Sequence, residues 1–395
     1  MDNDFPPTNP TPPNPAPAPA AAPPPPLPPP IIAPARKQKT GRGWVIATFV
    51  LAALLVLTVI GSFIGSFFNV LGNAEGMAGE TRLTEVTIER NRSSDKIAVI
   101  PVEGIITSGS DGAGNNMVRL IEDQLKLAAK DDHVKAVLLK VNSPGGEVLA
   151  SDDIYNAIRQ FQNEHNKPVV ASMGSLAASG GYYVSAPCRW IVANELTITG
   201  SIGVIMHGYN YRGLMNKVGL RPMVFKSGRF KDMLSGEKDL ETLTPSEKAN
   251  LGEEEAMVNK MINETFEKFK SIVAEGRKVA NTRNQLNKVI EDSDKGRELS
   301  ATWASLADGR ILSGKEAREH GFVDELGNWR TAIKRAQALA GIGKADLVTY
   351  QVPFSLGNLL GILGKSDAKS IKVDLGFDLP KLNAGLYYLS PTFLR

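Results

Sequence analysis

A single cysteine, Cys188, stands in a chain of 395 residues, so no intramolecular disulfide can form and stability must come from a packed core. Histidine is nearly as scarce. The only four are His133, His165, His207 and His320, and no two share a metal-ligand spacing, which argues against a metal site. None is tied by a motif to a nucleophile, so a Ser–His–Asp triad is the weaker alternative wherever a reactive serine is found. The formal net charge of +3 is small and dispersed, without the basic stripe of a nucleic-acid binder. Cys188 lies between Pro187 and Arg189 at the head of an apolar run and reads as structural.

Proline is abundant, and most of it is in one place. Residues 1–35 hold well over half of the 25 prolines, with alanine and almost no charge. Such a segment buries too little apolar surface to offset its ordering entropy, so residues 1–42 are expected to form a disordered cytoplasmic arm. The arm ends in a basic flank, Arg36 to Arg42, followed by an uncharged apolar stretch over 44–71. At about 1.5 Å per residue a helix of that length exceeds the roughly 30 Å hydrocarbon core. The basic flank places its N-terminal side in the cytoplasm. A cleavable signal peptide is the rival reading, with Gly72 and Ala74, or Gly76 and Ala78, as small-residue sites. The apolar run is longer than the core of about 7–15 residues typical of such signals. We therefore expect an uncleaved anchor at 43–72 that contacts lipid through 44–71, a linker at 73–94, and the rest outside the cytoplasm.

From Lys96 onward apolar runs alternate with helical patterns. Strands are expected at 97–102, 136–141, 169–173, 191–193, 202–206 and 223–225, and helices at 117–129, 154–161 and 245–277. Strands separated by helices imply a mainly parallel sheet in one α/β domain, 95–342. Residues 343–395 form a C-terminal extension with apolar stretches at 348–352, 356–363 and 386–394 and no readable role.

Chemistry concentrates in three segments. Ala171 to Ser185 runs from an apolar strand into a turn of small residues centred on Ser179, followed by an Ala/Gly-rich stretch that can be helical. A sharp strand-to-helix turn is how a fold exposes a nucleophilic hydroxyl. Asn142-Ser143-Pro144-Gly145-Gly146 follows another strand, and N–H groups freed at such a turn can stabilise an oxyanion. Lys226-Ser227-Gly228-Arg229-Phe230-Lys231-Asp232 supplies amines, and a lysine can take a proton only when neutral, which requires burial. Each feature has a bland counterpart: Pro-Gly-Gly is an ordinary turn, and a lone lysine is usually a solvated charge.

In combination these segments resemble the signal peptide peptidase A (protease IV) family of serine proteases, over about Lys96 to Ile333. The resemblance implies Ser179 as nucleophile and Lys231, 52 residues later, as its base. It implies an oxyanion hole at Gly145 and Gly146, with Gly180 as a further donor or a structural glycine. Ser201, in Thr199-Gly200-Ser201, matches a serine that orients the lysine, or is a plain turn serine. The implied fold is ClpP/crotonase-like, of repeated strand-strand-helix units preceded by one transmembrane helix. No cofactor and no metal are implied. The implied substrates are cleaved signal peptides and other hydrophobic peptides, and the implied location is a bacterial inner membrane. Because only one copy of each motif is present, a homo-oligomer is expected, with eight subunits as the number that would close a shell. A crotonase-type acyl-CoA enzyme and a non-catalytic scaffold are the alternatives on the same fold.

Overall fold

A computed structural model of the chain describes residues 47–62, 83–109, 116–289, 291, 295–353 and 387–389. The expected proline-rich arm, and the ends of the expected anchor at 43–46 and 63–72, lie outside the described residues. The chain divides into two compact units, 1–71 and 72–395.

In the first unit residues 47–62 form helix α1, and all of its residues are exposed, among them Leu51, Leu55 and Ile60. At about 1.5 Å per residue it measures about 24 Å, less than a hydrocarbon core. Among the described residues no helix is long and apolar enough to cross a membrane.

The second unit is built on strands β1 (Thr84–Glu89), β2 (Lys96–Glu103), β3 (Val134–Ser143), β4 (Gly145–Glu147), β5 (Val169–Ala178), β6 (Trp190–Ala193), β7 (Ile198–Gly200), β8 (Ile311–Ser313), β9 (Glu325–Leu326), β10 (Asp346–Gln351) and β11 (Tyr387–Leu389). Its helices are α2 (Met117–Lys130), α3 (Val148–His165), α4 (Gly180–Ser185), α5 (Arg212–Lys217), α6 (Pro245–Leu286), α7 (Trp303–Leu306), α8 (Gly314–Glu319) and α9 (Trp329–Ala340). The main sheet runs β1-β10-β2-β3-β5-β6-β9, with β7 and β8 continuing from the end of β5. It is mixed. The pairings β10–β2–β3–β5–β6–β9 are parallel, whereas β1 meets β10 and β7 meets β8 antiparallel.

Sequence dictates that layering. Strands β2, β3 and β5 are near-continuous runs of Val, Ile, Leu and Ala, buried on both faces as parallel strands must be. One face packs Ile100, Leu139, Ala171 and Ile191 against Ile121 and Leu125 of α2 and Ile154 and Ile158 of α3. The other packs Ile97, Leu138, Val170 and Val192 against Ala332, Ala336 and Leu339 of α9. Helix α6 starts at a capping box, Thr244 with Glu247. Its C-terminal half buries Phe269, Ile272, Val273 and Ala280, while Met257 and Met261 in its first half stay exposed.

Four differences from the sequence reading stand out. Strand β1 falls inside the segment expected as a linker, and β10 inside the C-terminal extension; both complete the main sheet. Met223, Val224 and Phe225 form no strand and are exposed. The run 202–206 makes only an isolated bridge, between Ile205 and Tyr387. Helix α6 continues nine residues past Arg277 to Leu286.

Candidate active site

Ser179 sits where β5 turns into α4, with φ 53° and ψ −116°, a backbone region that non-glycine residues rarely occupy. Two main-chain bonds hold it there. Its N–H donates to Gly200 O at 2.8 Å, and its carbonyl accepts from Tyr183 N at 2.9 Å. The side chain is buried, 1 % exposed, and its Oγ has no hydrogen-bond partner among the described residues. A buried hydroxyl without a partner is costly in an ordinary core and is expected where a reacting group must enter.

Parallel pairing brings the glycine turn to the same place. Ser143, the last residue of β3, lies opposite Ala177 near the end of β5. The chain then turns through Pro144 into β4, where Gly145 adopts φ 102°. The Gly145 N–H is committed, donating to Ser143 Oγ at 3.1 Å. Gly146 is glycine for lack of room: a Cβ there would fall 1.9 Å from the Ile106 carbonyl oxygen. Gly180 closes the arrangement, since a Cβ on it would meet Gly145 Cα at 3.0 Å and the Gly146 nitrogen at 3.1 Å. The start of α4 and the glycine pair are thus in van der Waals contact, with Ser179 at the junction.

Ser201 follows β7 with φ 50°, is nearly buried, and donates its N–H to Arg310 O at 2.7 Å. Strand β7 pairs Gly200 with Ala178, so Ser201 lies one residue beyond the pairing that frames Ser179. Ser179, Gly145, Gly146, Gly180 and Ser201 therefore share one corner of the sheet.

Lys231 is not bonded into that corner. It lies on an exposed turn, its N–H donating to Gly228 O at 3.2 Å. Its neighbour Lys226 is occupied, with Nζ at 2.8 Å from both oxygens of Asp232. That ammonium holds the Asp232 carboxyl below its ordinary range. Earlier in the same stretch of chain, Tyr209, Met223 and Phe225 are 72 %, 80 % and 89 % exposed.

Two features at the site carry no sequence signal that the reading above used. Glu147, directly after the glycine pair, accepts from Thr107 Oγ1 at 2.9 Å, Ser108 N at 2.8 Å and Ser108 Oγ at 2.6 Å. It staples the strap Ile106–Ser108 onto β4. Burial pushes its carboxyl up, but the Ser108 and Thr107 donors outweigh that and hold it below the ordinary value. The second feature is β11, which pairs with β4. The four histidines are elsewhere: His320 Nδ1 is 3.3 Å from Ser300 Oγ, and none bonds Ser179. Cys188 is fully buried, and burial pushes its thiol well up, away from reactivity.

The chain is similar to known proteins over much of its length. The model of "Peptidase family S49" matches residues 161–293 and 284–343, and that of "Clp protease" matches 89–192. The chain is 37 % identical over 260 residues to a Synechocystis sp. protein named "Putative protease", covering 65 % of this chain and 80 % of that one. It is 32 % identical over 324 residues to "Putative signal peptide peptidase SppA" of Enterococcus faecium, covering 78 % and 84 %. "Protease 4" of Haemophilus influenzae is 32 % identical over 253 residues, which is 64 % of this chain but 36 % of that one.

Proposed function

Since the chain belongs to peptidase family S49, we propose a membrane-anchored serine endopeptidase that degrades signal-peptide remnants and other membrane-associated peptides through a Ser179–Lys231 dyad. The observation that carries this reading is the Ser179 hydroxyl itself. It is buried, without a hydrogen-bond partner among the described residues, and held in a strained turn against Gly146 and Gly180. A Clp protease-like α/β fold with a mixed sheet supplies the frame.

In the proposed mechanism Lys231 Nζ takes the proton of Ser179 Oγ as that oxygen adds to the scissile carbonyl. The N–H groups of Gly146 and Gly180 stabilise the oxyanion, each worth about a hundredfold or more in rate. Gly145, its own N–H held by Ser143, shapes the turn that aims them. Collapse of the intermediate breaks the C–N bond, and the lysine returns its proton to the leaving amine. Water, activated by the same lysine, then hydrolyses the acyl-enzyme. Ser201 orients the ammonium and the amine in turn. No metal or cofactor enters the scheme.

Lys231 reaches Ser179 on assembly of a homo-oligomer, with eight subunits as the expected number. The large apolar side chains left exposed shortly before Lys231 in the sequence, Met223 and Phe225, support this, since apolar surface of that kind is used at interfaces. The match to about a third of Protease 4 fits a single-copy chain that needs more subunits than a longer relative. Light scattering on an anchor-free chain beginning near Glu80 tests it; an active monomer at micromolar concentration would refute it.

For location we propose a bacterial inner membrane, with residues 1–42 as a cytoplasmic arm, 43–72 as the anchor and 95–342 as the extracytoplasmic catalytic domain. The apolar, exposed helix α1 is the described part of that anchor. Protease added to spheroplasts should cut after about residue 73 and spare the arm. The deciding experiment for the chemistry is intact-mass analysis after a serine-directed covalent probe. One adduct is expected on the wild-type chain and none on Ser179→Ala; labelling of both would overturn the nucleophile assignment.

A further inference from the structure

Helix α6 buries only one residue before Phe269, and that residue is charged. Glu254 is 4 % exposed, whereas its neighbours Glu253 and Glu255 are exposed. A carboxylate is almost never buried unless it is paired. The partner here is Lys238, whose Nζ donates to both Glu254 oxygens at 2.6 Å.

Lys238 ends a short span of chain that contains Lys231. The span runs through successive turns from Gly228. Lys231 N donates to Gly228 O at 3.2 Å, Met233 N to Phe230 O at 3.0 Å, Ser235 N to Asp232 O at 3.1 Å and Lys238 N to Ser235 O at 3.4 Å. Both ends of it rest on α6, because Arg229 donates to Glu253 as Lys238 does to Glu254. Two consecutive residues of one helix thus hold the ends, and Lys231 lies between them.

The two feet are unequal. Arg229 and Glu253 are half exposed, and such a pair is worth little. Breaking a buried pair leaves a charge uncompensated and costs far more. The pair Lys226–Asp232 lies within the same stretch of chain, so it does not fasten Lys231 to the helix. A cavity of about 420 Å³, with Arg229, Asp232, Lys238 and Glu254 in its wall, gives the span room to shift once the buried foot is lost. The other half of α6 is fixed beside the nucleophile. About 22 Å further along the helix, Phe269 packs on Tyr183 of α4 with ring centroids 4.9 Å apart. One helix is therefore fastened both to the element that begins at Ser179 and to the span that carries Lys231.

We propose that Glu254, acting through Lys238, is a positioning residue for the general base: it fixes where the Lys231 amine is presented. The inference deepens the peptidase reading and rests on it.

The test uses the full chain in its assembled form. Glu254→Gln should lower kcat for a hydrophobic reporter peptide by about tenfold to a hundredfold, the scale of an ångström's displacement of a catalytic group, with KM within about twofold. The rate constant for labelling of Ser179 by a serine-directed covalent probe should fall by the same factor, while every chain still labels in the end. Lost folding would instead shrink the labelled fraction at an unchanged rate constant. Lys238→Met should match Glu254→Gln, and Lys238→Arg, which keeps the pair, should stay near the wild type. Glu255→Gln, the same change of charge at the exposed next residue, should have no effect. A second arm needs no hydrolysis. In the Ser179→Ala chain, adding Glu254→Gln should speed amide hydrogen exchange over residues 226–239 about tenfold, and adding Glu255→Gln should not. A Lys231→Ala chain that hydrolyses peptide at the wild-type rate would sink the dyad reading, while this arm still decides whether Glu254 holds the span. A wild-type labelling rate constant in Glu254→Gln, or equal exchange in the two backgrounds, would overturn the proposal.

Discussion

Adding one methyl group at Gly146 should remove about 4 kcal/mol of stability, within a range of about 2–6 kcal/mol. The new Cβ would lie 1.9 Å from Ile106 O and 2.6 Å from both Ile106 C and Ile106 N, where ordinary contact begins near 3.4 Å. All three atoms are backbone, so no rotamer change relieves the clash and the strap must retreat by about 1.5 Å. That breaks the two bonds through Ile106, Ile106 N to Gly145 O and Glu147 N to Ile106 O, each worth about 0.5–1.5 kcal/mol net. Overpacking strain adds about 1–3 kcal/mol. For a domain of this size class a change of 1 kcal/mol moves Tm by about 2–4 °C, so Gly146→Ala should lower Tm by about 8–16 °C. Gly104→Ala is the control. Its φ is 78° but nothing lies within 4 Å, so only backbone strain of about 1–2 kcal/mol applies, a fall of about 2–8 °C. Both are read by scanning fluorimetry of the full chain, with peptide hydrolysis measured at a temperature where both variants are folded. Gly146→Ala should be inactive there, because its N–H has moved. The reasoning fails if Gly146→Ala melts no lower than Gly104→Ala.

The Glu147 staple should weaken in acid. A carboxyl held below its ordinary value in the fold adds stability above its unfolded pKa, and this is lost as pH falls through the folded one. The Tm gap between wild type and Glu147→Gln should therefore be widest at neutral pH and close as the pH falls below the ordinary carboxylate range; a constant gap would refute it. Asp324→Asn should cost about 3–5 kcal/mol, because it leaves Arg277 charged, unpaired and fully buried. The double variant with Arg277→Met should recover most of that loss, and a single-variant loss under about 1 kcal/mol by urea titration would count against it. Ser179→Ala and Lys231→Ala should each reduce peptide hydrolysis at least about a thousandfold, as members of one unit. Lys226→Ala, which breaks an exposed ion pair with Asp232, should change it little. The reverse ranking of the two lysines would reassign the base. Chelators should leave the rate unchanged, and restoration of a lost rate by zinc would contradict that.

What could be read from the chain was local. Ser179 and its glycine neighbours announce a strand-to-helix turn within a few residues, and the structure builds one there. The glycine pair was legible as a turn, but not the use of its N–H groups. That depends on Ser143 Oγ, on Ile106 some forty residues earlier and on β11 at the far end of the chain. Thr84–Glu89 alternates threonine and glutamate with valine and isoleucine, so as an exposed edge strand it looked like linker. Its partner β10 was visible as an apolar run. Its insertion between β1 and β2 was not, because parallel pairing across some 250 residues leaves no mark in a window. Met223–Phe225 shows the converse: three apolar residues of strand-like character that find no strand in their own chain.

The backbone of Ser179, at φ 53° and ψ −116°, implies that the protein is weaker for having its nucleophile. Glycine adopts such angles without the steric conflict that a Cβ brings, a conflict worth on the order of 1–3 kcal/mol. The customary inactive variant, Ser179→Ala, keeps the Cβ and so keeps the strain. Ser179→Gly loses both hydroxyl and conflict, and among the described residues no buried partner of Oγ is left unsatisfied by its removal. A catalytically dead Ser179→Gly chain should therefore unfold at a higher temperature than Ser179→Ala, which loses the buried hydroxyl but keeps the backbone conflict. Stability and reactivity are set against each other at a single residue, and the fold holds that residue by its neighbours rather than by its own preference.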